Sequence, residues 1–395
     1  MIKIKRRRKK RNPFYDASLK KRHKSAKRFK RFTLTSLIFS VAFLAFFLFD
    51  MTTKAIPAFN IAYIKVDVTF NEKSIEDTRF AVSKEYRALV SRAALRDIPN
   101  ILKENPDYLN STQSLWLLAN SQVDQYLKKH NNSLKEKEKL LVEELKSSAL
   151  IESRFNHLFF INGDSKIPEN AGFFSSIVGS IFTLFITMLV AFPIGVMTAI
   201  YLEEFASDNK FTRFIEININ NLAAIPSILF GLLGLAIFIN LFGLPRSSPL
   251  VGGLTLALMT LPIIIVSSRA ALRAVPDSIR QAGYGLGLNK IQVTKDHVLP
   301  LAFPGIMTGS IIGLAQAMGE TAPLIIIGMI AFIPDAPNMI TSAATVMPAQ
   351  IFTWAGMPEG MYIEKTAAGI LVLLSILISL NAVAIYLRKK FEVKW

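Results

Sequence analysis

The sequence predicts an all-α polytopic membrane protein of six transmembrane helices, broken after the first by an α+β domain outside the bilayer. Three observations carry that expectation. Hydrophobic residues make up 51% of the 395 positions and charged residues only 19%, where an ordinary soluble domain has about a quarter charged. The basic charge is segregated: residues 1–32 hold 16 Lys and Arg against one acid, Asp16, so the other 363 residues carry only +2 of the total +17. Finally, six stretches free of Asp, Glu, Lys and Arg, at 32–49, 170–202, 217–245, 247–268, 297–319 and 366–387, each approach or exceed the roughly 20 residues needed to cross about 30 Å of hydrocarbon. Charge in hydrocarbon is costly, so such gaps locate the spans.

This balance excludes a single soluble globule and a disordered chain. The lack of cysteine excludes a disulfide scaffold and cysteine-ligated metal. His23, His130, His157 and His297 are dispersed, which argues against a histidine metal site.

Residues 1–32 read as a cytoplasmic basic tail. A polybasic segment beside a span gains about 1 kcal/mol per Lys or Arg near an anionic leaflet. Membrane lipid, not nucleic acid, is its expected partner, because no aromatic platform accompanies the charges and Phe29 and Phe32 suit interfacial anchoring. The first span, 33–50, is apolar on every face, unlike a buried soluble helix. Its long basic flank and the lack of a small-x-small pair closely following Phe49 make it an uncleaved anchor, not a signal peptide.

Residues 51–168 hold 17 basic and 15 acidic residues, the mixture of a hydrated surface. In IAYIKVDVTF at 61–70, Lys65, Asp67 and Thr69 alternate with Ile64, Val66, Val68 and Phe70, the period of a half-buried strand. Helices are expected at 74–96, 111–129 and 133–153. No spacing of Ser, His and Asp specifies a catalytic triad.

Residues 169–395 form the remaining five-helix core. Pro193 should kink the second span, which neighbouring helices tolerate. The fifth is interrupted by Glu320 and resumes through Ile333. Orientation follows the Lys and Arg near span ends. With the N-terminus inside, the inner segments 1–31, 203–216, 269–296 and 388–395 carry 27 basic residues, and the short outer loops only Arg246 and Lys365. Both termini are therefore expected in the cytoplasm and residues 51–168 outside.

The inner loop 269–300 should hold two short helices, one beginning at Asp277 after Pro276 and one stopping before Pro300, joined by a turn at Gly283, Gly285 and Gly287. It is either a docking projection or a solvated connector. In the fifth span, Gly305, Gly309, Gly313 and Ala317 share an arc of about 120° at roughly 100° per residue. Gln316 and Glu320 fall within it. Small residues four apart let two helices approach closely, so this face looks at protein. Glu320 then sits in the bundle or on its cavity, or else at the outer interface, bonded to neighbouring backbone. Pro323 should end or bend the helix.

Gln281, Ala282 and Gly283, with Gly287, Leu299 and Pro300 in register, resemble the EAA loop of bacterial ABC-importer permeases. That pattern is Glu-Ala-Ala, three residues, Gly, nine residues, Ile, one residue, Leu-Pro. Gln281, Gly283 and His297 depart from it. PGIMTGSIIGLAQAMGETAPLI at 304–325, which includes Thr321, together with LPIII at 261–265, is similar to phosphate-specific permeases of PstA type.

The resemblance covers about 170–395 and implies the ABC importer permease fold in a bacterial inner membrane, with some members carrying an N-terminal extension. It implies a subunit of an ATP-driven phosphate importer, partnered by a second permease (PstC type), an ATPase dimer (PstB type) and an extracytoplasmic phosphate-binding protein (PstS type). Such a subunit binds no cofactor itself and is not an enzyme. No G-x-x-x-x-G-K-[ST] occurs, so ATP is used by the partner. By the same resemblance, Glu320, Gln316, Thr321 and Arg269 belong to the substrate pathway, and 281–283, 287, 299 and 300 couple to the ATPase. The family's arginines are replaced by Gln316 and Val266, with Arg269 three residues beyond. A permease for another oxyanion or solute, or a membrane-anchored sensor or assembly protein, are the rival readings.

Overall fold

The computed structural model describes residues 17–330 and 332–391; the part of the basic tail at 1–16 lies outside them. The chain divides at Thr53 into two compact units.

The first unit is built on helix α1, Ala17–Ala55, which begins within the tail and runs through the first span. Thr35, Ser36 and Ser40 turn their hydroxyls back onto carbonyls three or four residues earlier, so its polar groups are satisfied without water.

The second unit opens with the insert. Strand β1, Asn60–Thr69, is the centre of a three-stranded antiparallel sheet of order β2-β1-β3, with β2 at Thr112–Leu118 and β3 at Ile151–Phe155. The alternation holds: Ile64, Val66 and Val68 are buried while Asp67 is exposed. Helices α2, Arg92–Glu104, α3, Ser121–Leu127, and α4, Glu136–Ser147, supply Leu95, Ile98, Val123, Val142 and Leu145 to the core beneath it.

Three helix boundaries expected from sequence are corrected. Of 74–96, only the two ends are α-helical, with a single 3-10 turn at Thr78–Phe80 between them. The stretch 111–129 is β2 followed by α3, parted at Asn120, whose side chain accepts from Gln122 N–H. The stretch 133–153 is α4 followed by β3, with Ala149 at φ 56° ending the helix. In both, pairing with the two open edges of β1 overrides local helical preference.

In the membrane part, α5 spans Phe174–Ile200 with Pro193 inside it and continues as a π turn to Phe205. The third uncharged stretch is not one helix. Helix α6, Lys210–Ala223, and α7, Ser227–Gly234, the latter extended by a π segment to Leu241, meet at 103°. Pro226 stands at the break, lacking an N–H and disfavouring helix in the residue before it. The 15 residues from Ser227 to Leu241 reach at most roughly 22 Å, less than the hydrocarbon thickness. Among the described residues there are thus five helices long and apolar enough to cross a membrane, or six with the bent pair as one.

Helix α8, Pro249–Arg273, is the hub. A methyl at Gly195 of α5 would lie 2.8 Å from Ile264, and one at Gly253 of α8 2.6 Å from Ile186. Helix α9, Asp277–Gly285, forms the inner loop. The segment after it does not stop before Pro300. It runs from Lys290 through a π turn at Val293–Val298 into α10, Leu299–Gly319. The wider turn accommodates a proline that has no N–H to offer the preceding turn. Past Glu320 lie the short α11, Ala322–Ile326, an irregular stretch, and α12, Met347–Ala355, with Trp354 fully buried. The last helix, α13, covers Gly360–Phe391 and so begins before the predicted span at 366.

Candidate functional site

Two regions gather the residues singled out by the sequence: the inner loop around α9 and the turn that follows α10. The inner loop is held by ions. Arg280 of α9 donates from Nη2 to Glu204 at 2.7 Å and from the same guanidinium to the Leu272 and Val275 carbonyls at 3.0 and 2.8 Å. It thereby ties α9 to the end of α5 and to the exposed carbonyl end of α8. Glu204 is buried and was not singled out from the sequence.

The glycines of this loop have different tasks. Gly283 is buried against Val293, whose methyl would lie 2.8 Å from an added Cβ, so it brings α9 onto the π turn. Gly287 has open space around it and a φ of +82°, a conformation that side chains oppose. Gln281, Ala282 and Pro300 are exposed, and Tyr284, Leu286 and Ile291 leave an apolar surface beside them. Leu299 is half-buried and packs beneath the loop.

The small-residue stripe of α10 meets α8. A methyl at Gly305 would lie 2.6 Å from Ala271, and one at Gly309 would collide with Ser267, while Gly313 faces Ile264 at ordinary contact. Ala317 is buried against Phe230, Val251 and Leu324. The flank of the stripe is uncovered: Gly305, Ile312, Gln316 and Gly319 are exposed, as is Val266 of α8.

Glu320 stands just past this helix in extended backbone, φ −75° and ψ 130°. The helix therefore ends one residue before it, earlier than Pro323 alone would dictate. Glu320 and Thr321 are half-buried, and among the described residues no ion pair involves Glu320. Pro323 instead seats against Gly231 of α7, where a Cβ would fall 2.7 Å from its Cα.

Arg269 does not join Glu320. Its guanidinium is taken by Glu216 at 2.5 Å and Glu203 at 3.4 Å, and Glu203 also accepts from Arg273 at 2.8 Å. Arg269 lies level with Gly305 and Gly309, so Glu320 is some 11 to 15 residues further along α10, or roughly 16–22 Å. Two carboxylates from other elements hold this cation.

The void between Thr183, Leu256, Ala317 and Leu324 is about 10 Å³, about enough for one water. An open cleft of about 910 Å³ separates the insert from the loops of the membrane part, lined by Tyr63, Arg96, Trp116, Asn162 and Asp335 among others. The insert is also bonded to α13. Glu364 accepts from Gln125 at 2.7 Å and Lys128 at 3.0 Å and contacts His130 at 2.8 Å. Lys365, counted from the sequence as an outer-loop cation, is buried with its ammonium on the Pro168 and Ala171 carbonyls.

Long apolar helices packed closely through small residues make this a polytopic helical membrane protein. Residues 191–393 match the binding-protein-dependent transport system inner membrane component family, over half of the chain, and the protein belongs to that family. It is thus a multi-pass inner-membrane protein. Residues 16–86 and 76–136 match a domain of unknown function, DUF3333.

The chain is 34% identical over 174 residues to the probable ABC transporter permease protein YqgI of Bacillus subtilis, covering 44% of this chain and 58% of that protein. It is 35% identical over 163 residues to the phosphate transport system permease protein PstA of Mycobacterium leprae, covering 41% and 53%. With PstA of Yersinia pestis it shares 30% over 230 residues, 56% and 76% of the two chains. The match thus spans just over half the length of the first two relatives.

Proposed function

We propose that this chain is a permease subunit of an ATP-driven importer of inorganic phosphate. The observation that carries the reading is its likeness, at 35% and 30% identity, to two proteins named phosphate transport system permease protein PstA. The narrow void inside the bundle and the uncovered flank at Gln316 and Gly319 support a pathway shared with a second permease subunit. The apolar tip at Tyr284, Leu286 and Ile291 supports docking of a separate cytoplasmic ATPase at α9. Hydrolysis there moves α9, and the Arg280–Glu204 tie passes the movement to α5, rocking the bundle between access states.

The positive-inside bias supports cytoplasmic termini and an external insert, the part of the chain that an extracytoplasmic binding protein would meet. Bare Glu320 would repel phosphate, so in this reading it pairs with an arginine of the second permease and gates passage beside Thr321. Glu320→Gln should assemble normally and lose about tenfold or more of its uptake, the scale of one lost charged contact. Uptake at the normal rate would reject the gate.

A permease for another oxyanion is the second reading, favoured by the neutral Gln316 and Val266 and by the capture of Arg269 by Glu216. Uptake of labelled phosphate by a deletion strain carrying this chain, against sulfate and molybdate, separates the two. If the chain purifies without any ATPase, both give way to an anchored sensor or assembly protein.

A further inference from the structure

We infer that the insert rests on the membrane itself: Phe155, Phe160 and Ile161 form a foot that enters the lipid headgroup interface on the outer side. Their side chains are 60%, 38% and 63% exposed although they are large and apolar. The ring of Phe160 stacks on Phe155 at 6.2 Å and on Phe59 at 6.0 Å, with the planes within 9° of parallel. A contiguous patch of this kind on a hydrated domain is unfavourable and marks a contact surface.

Its position identifies what covers it. Two spans of the same unit, α5 and α13, begin at the foot. Phe173 N–H donates to the Phe159 carbonyl at 2.7 Å and Phe174 N–H to the Asn162 carbonyl at 3.0 Å, which joins the foot to the first turn of α5. Ala58 and Phe159 share a core with Ala367 and Ala368 of α13. The foot is therefore fixed at the level where these helices leave the hydrocarbon, where amphipathic rings are favoured.

The buried set Phe159, Phe173 and Trp354, with centroids 5.5 to 6.3 Å apart, makes the platform rigid. Beyond the foot the surface turns polar at once, with Arg154 5.0 Å from the rings of both Tyr63 and Trp116. The occupant is the interfacial layer of the bilayer. It stands independently of which solute is carried.

The chain contains no cysteine, so single labels report cleanly. Phe155→Cys, Phe160→Cys and Ile161→Cys would each be introduced into the full chain, labelled with a nitroxide and placed in phosphatidylethanolamine–phosphatidylglycerol nanodiscs. Leu140→Cys, on the exposed face of α4, serves as the hydrated control. Collision with oxygen should exceed collision with a water-soluble nickel chelate by about threefold or more at the foot, as for an interfacial segment, and the order should reverse at 140. Equal access to both reagents at the foot would overturn the inference, as would exclusion of both, which would mean a protein partner covers it. If Phe160→Cys loses the stack and fails to fold, the labels at 155 and 161 measure the same depth without it.

Discussion

Arg280 and Glu204 meet across 76 residues of sequence, Nη2 to Oε1 at 2.7 Å, with both Glu204 oxygens within 3.3 Å of Nε. Together they form a single fork between α9 and the end of α5. The hydrogen bond to Glu204 also holds the Arg280 pKa above its ordinary value, so the guanidinium stays charged throughout the physiological range. Breaking such a buried pair from one side costs about 3–5 kcal/mol. Glu204→Gln should release α9, seen as faster amide exchange over 277–285, and lower uptake per ATP hydrolysed. Unchanged protection would mean that the apolar contacts of α9 alone hold it.

At Gly287 the cost is conformational, since nothing lies near it but φ is +82°. Gly287→Val should destabilise the loop by about 1–2 kcal/mol while the complex still assembles. Transport coupled to ATP should fall more than hydrolysis does. Normal ATP-driven uptake in vesicles would show that the turn tolerates the strain.

For Gly309 the limit is space. Ser267, whose hydroxyl donates to the Ile263 carbonyl at 2.7 Å, occupies the place a side chain would need. Gly309→Leu should push α10 from α8 and cost about 1–3 kcal/mol or more, visible as a lower melting temperature in detergent. Gly313→Ala, with its nearest neighbour at 3.5 Å, should leave the melting temperature almost unchanged. Equal losses at the two positions would contradict this packing.

Burial raises the pKa of Glu169, against the hydrogen bond from the Ser91 side chain, and burial likewise raises Asp164 and Asp124. A carboxyl raised on folding binds more protons in the folded state, so its contribution is complete below the ordinary carboxylate range and is lost as pH rises through the raised value. Protection factors of α3 amides, corrected for intrinsic exchange, should therefore fall across that window. Glu169→Gln should make the decline shallower. An identical slope in the variant would assign the pH dependence elsewhere.

Much of this architecture is legible in the chain alone. The uncharged stretches mark the long helices, the alternation at 61–70 marks β1, and the glycine spacing of α10 marks its close approach to a neighbour. The loop 269–300 is also recognisable, although its second segment continues through Pro300 into α10. The pairings are not legible. Strands β2 and β3 take their form from the edges of β1, and Arg269 is claimed by Glu203 and Glu216, 66 and 53 residues away.

The sequence by itself determined where the chain prefers hydrocarbon to water, because that preference is set residue by residue and survives without knowledge of neighbours. Only the tertiary structure decided which charges meet, where the third uncharged stretch bends by 103°, and that Lys365 is buried at the seam with the insert. Those outcomes depend on distances between segments remote in sequence, and a buried charge is tolerated only where its partner is brought to it.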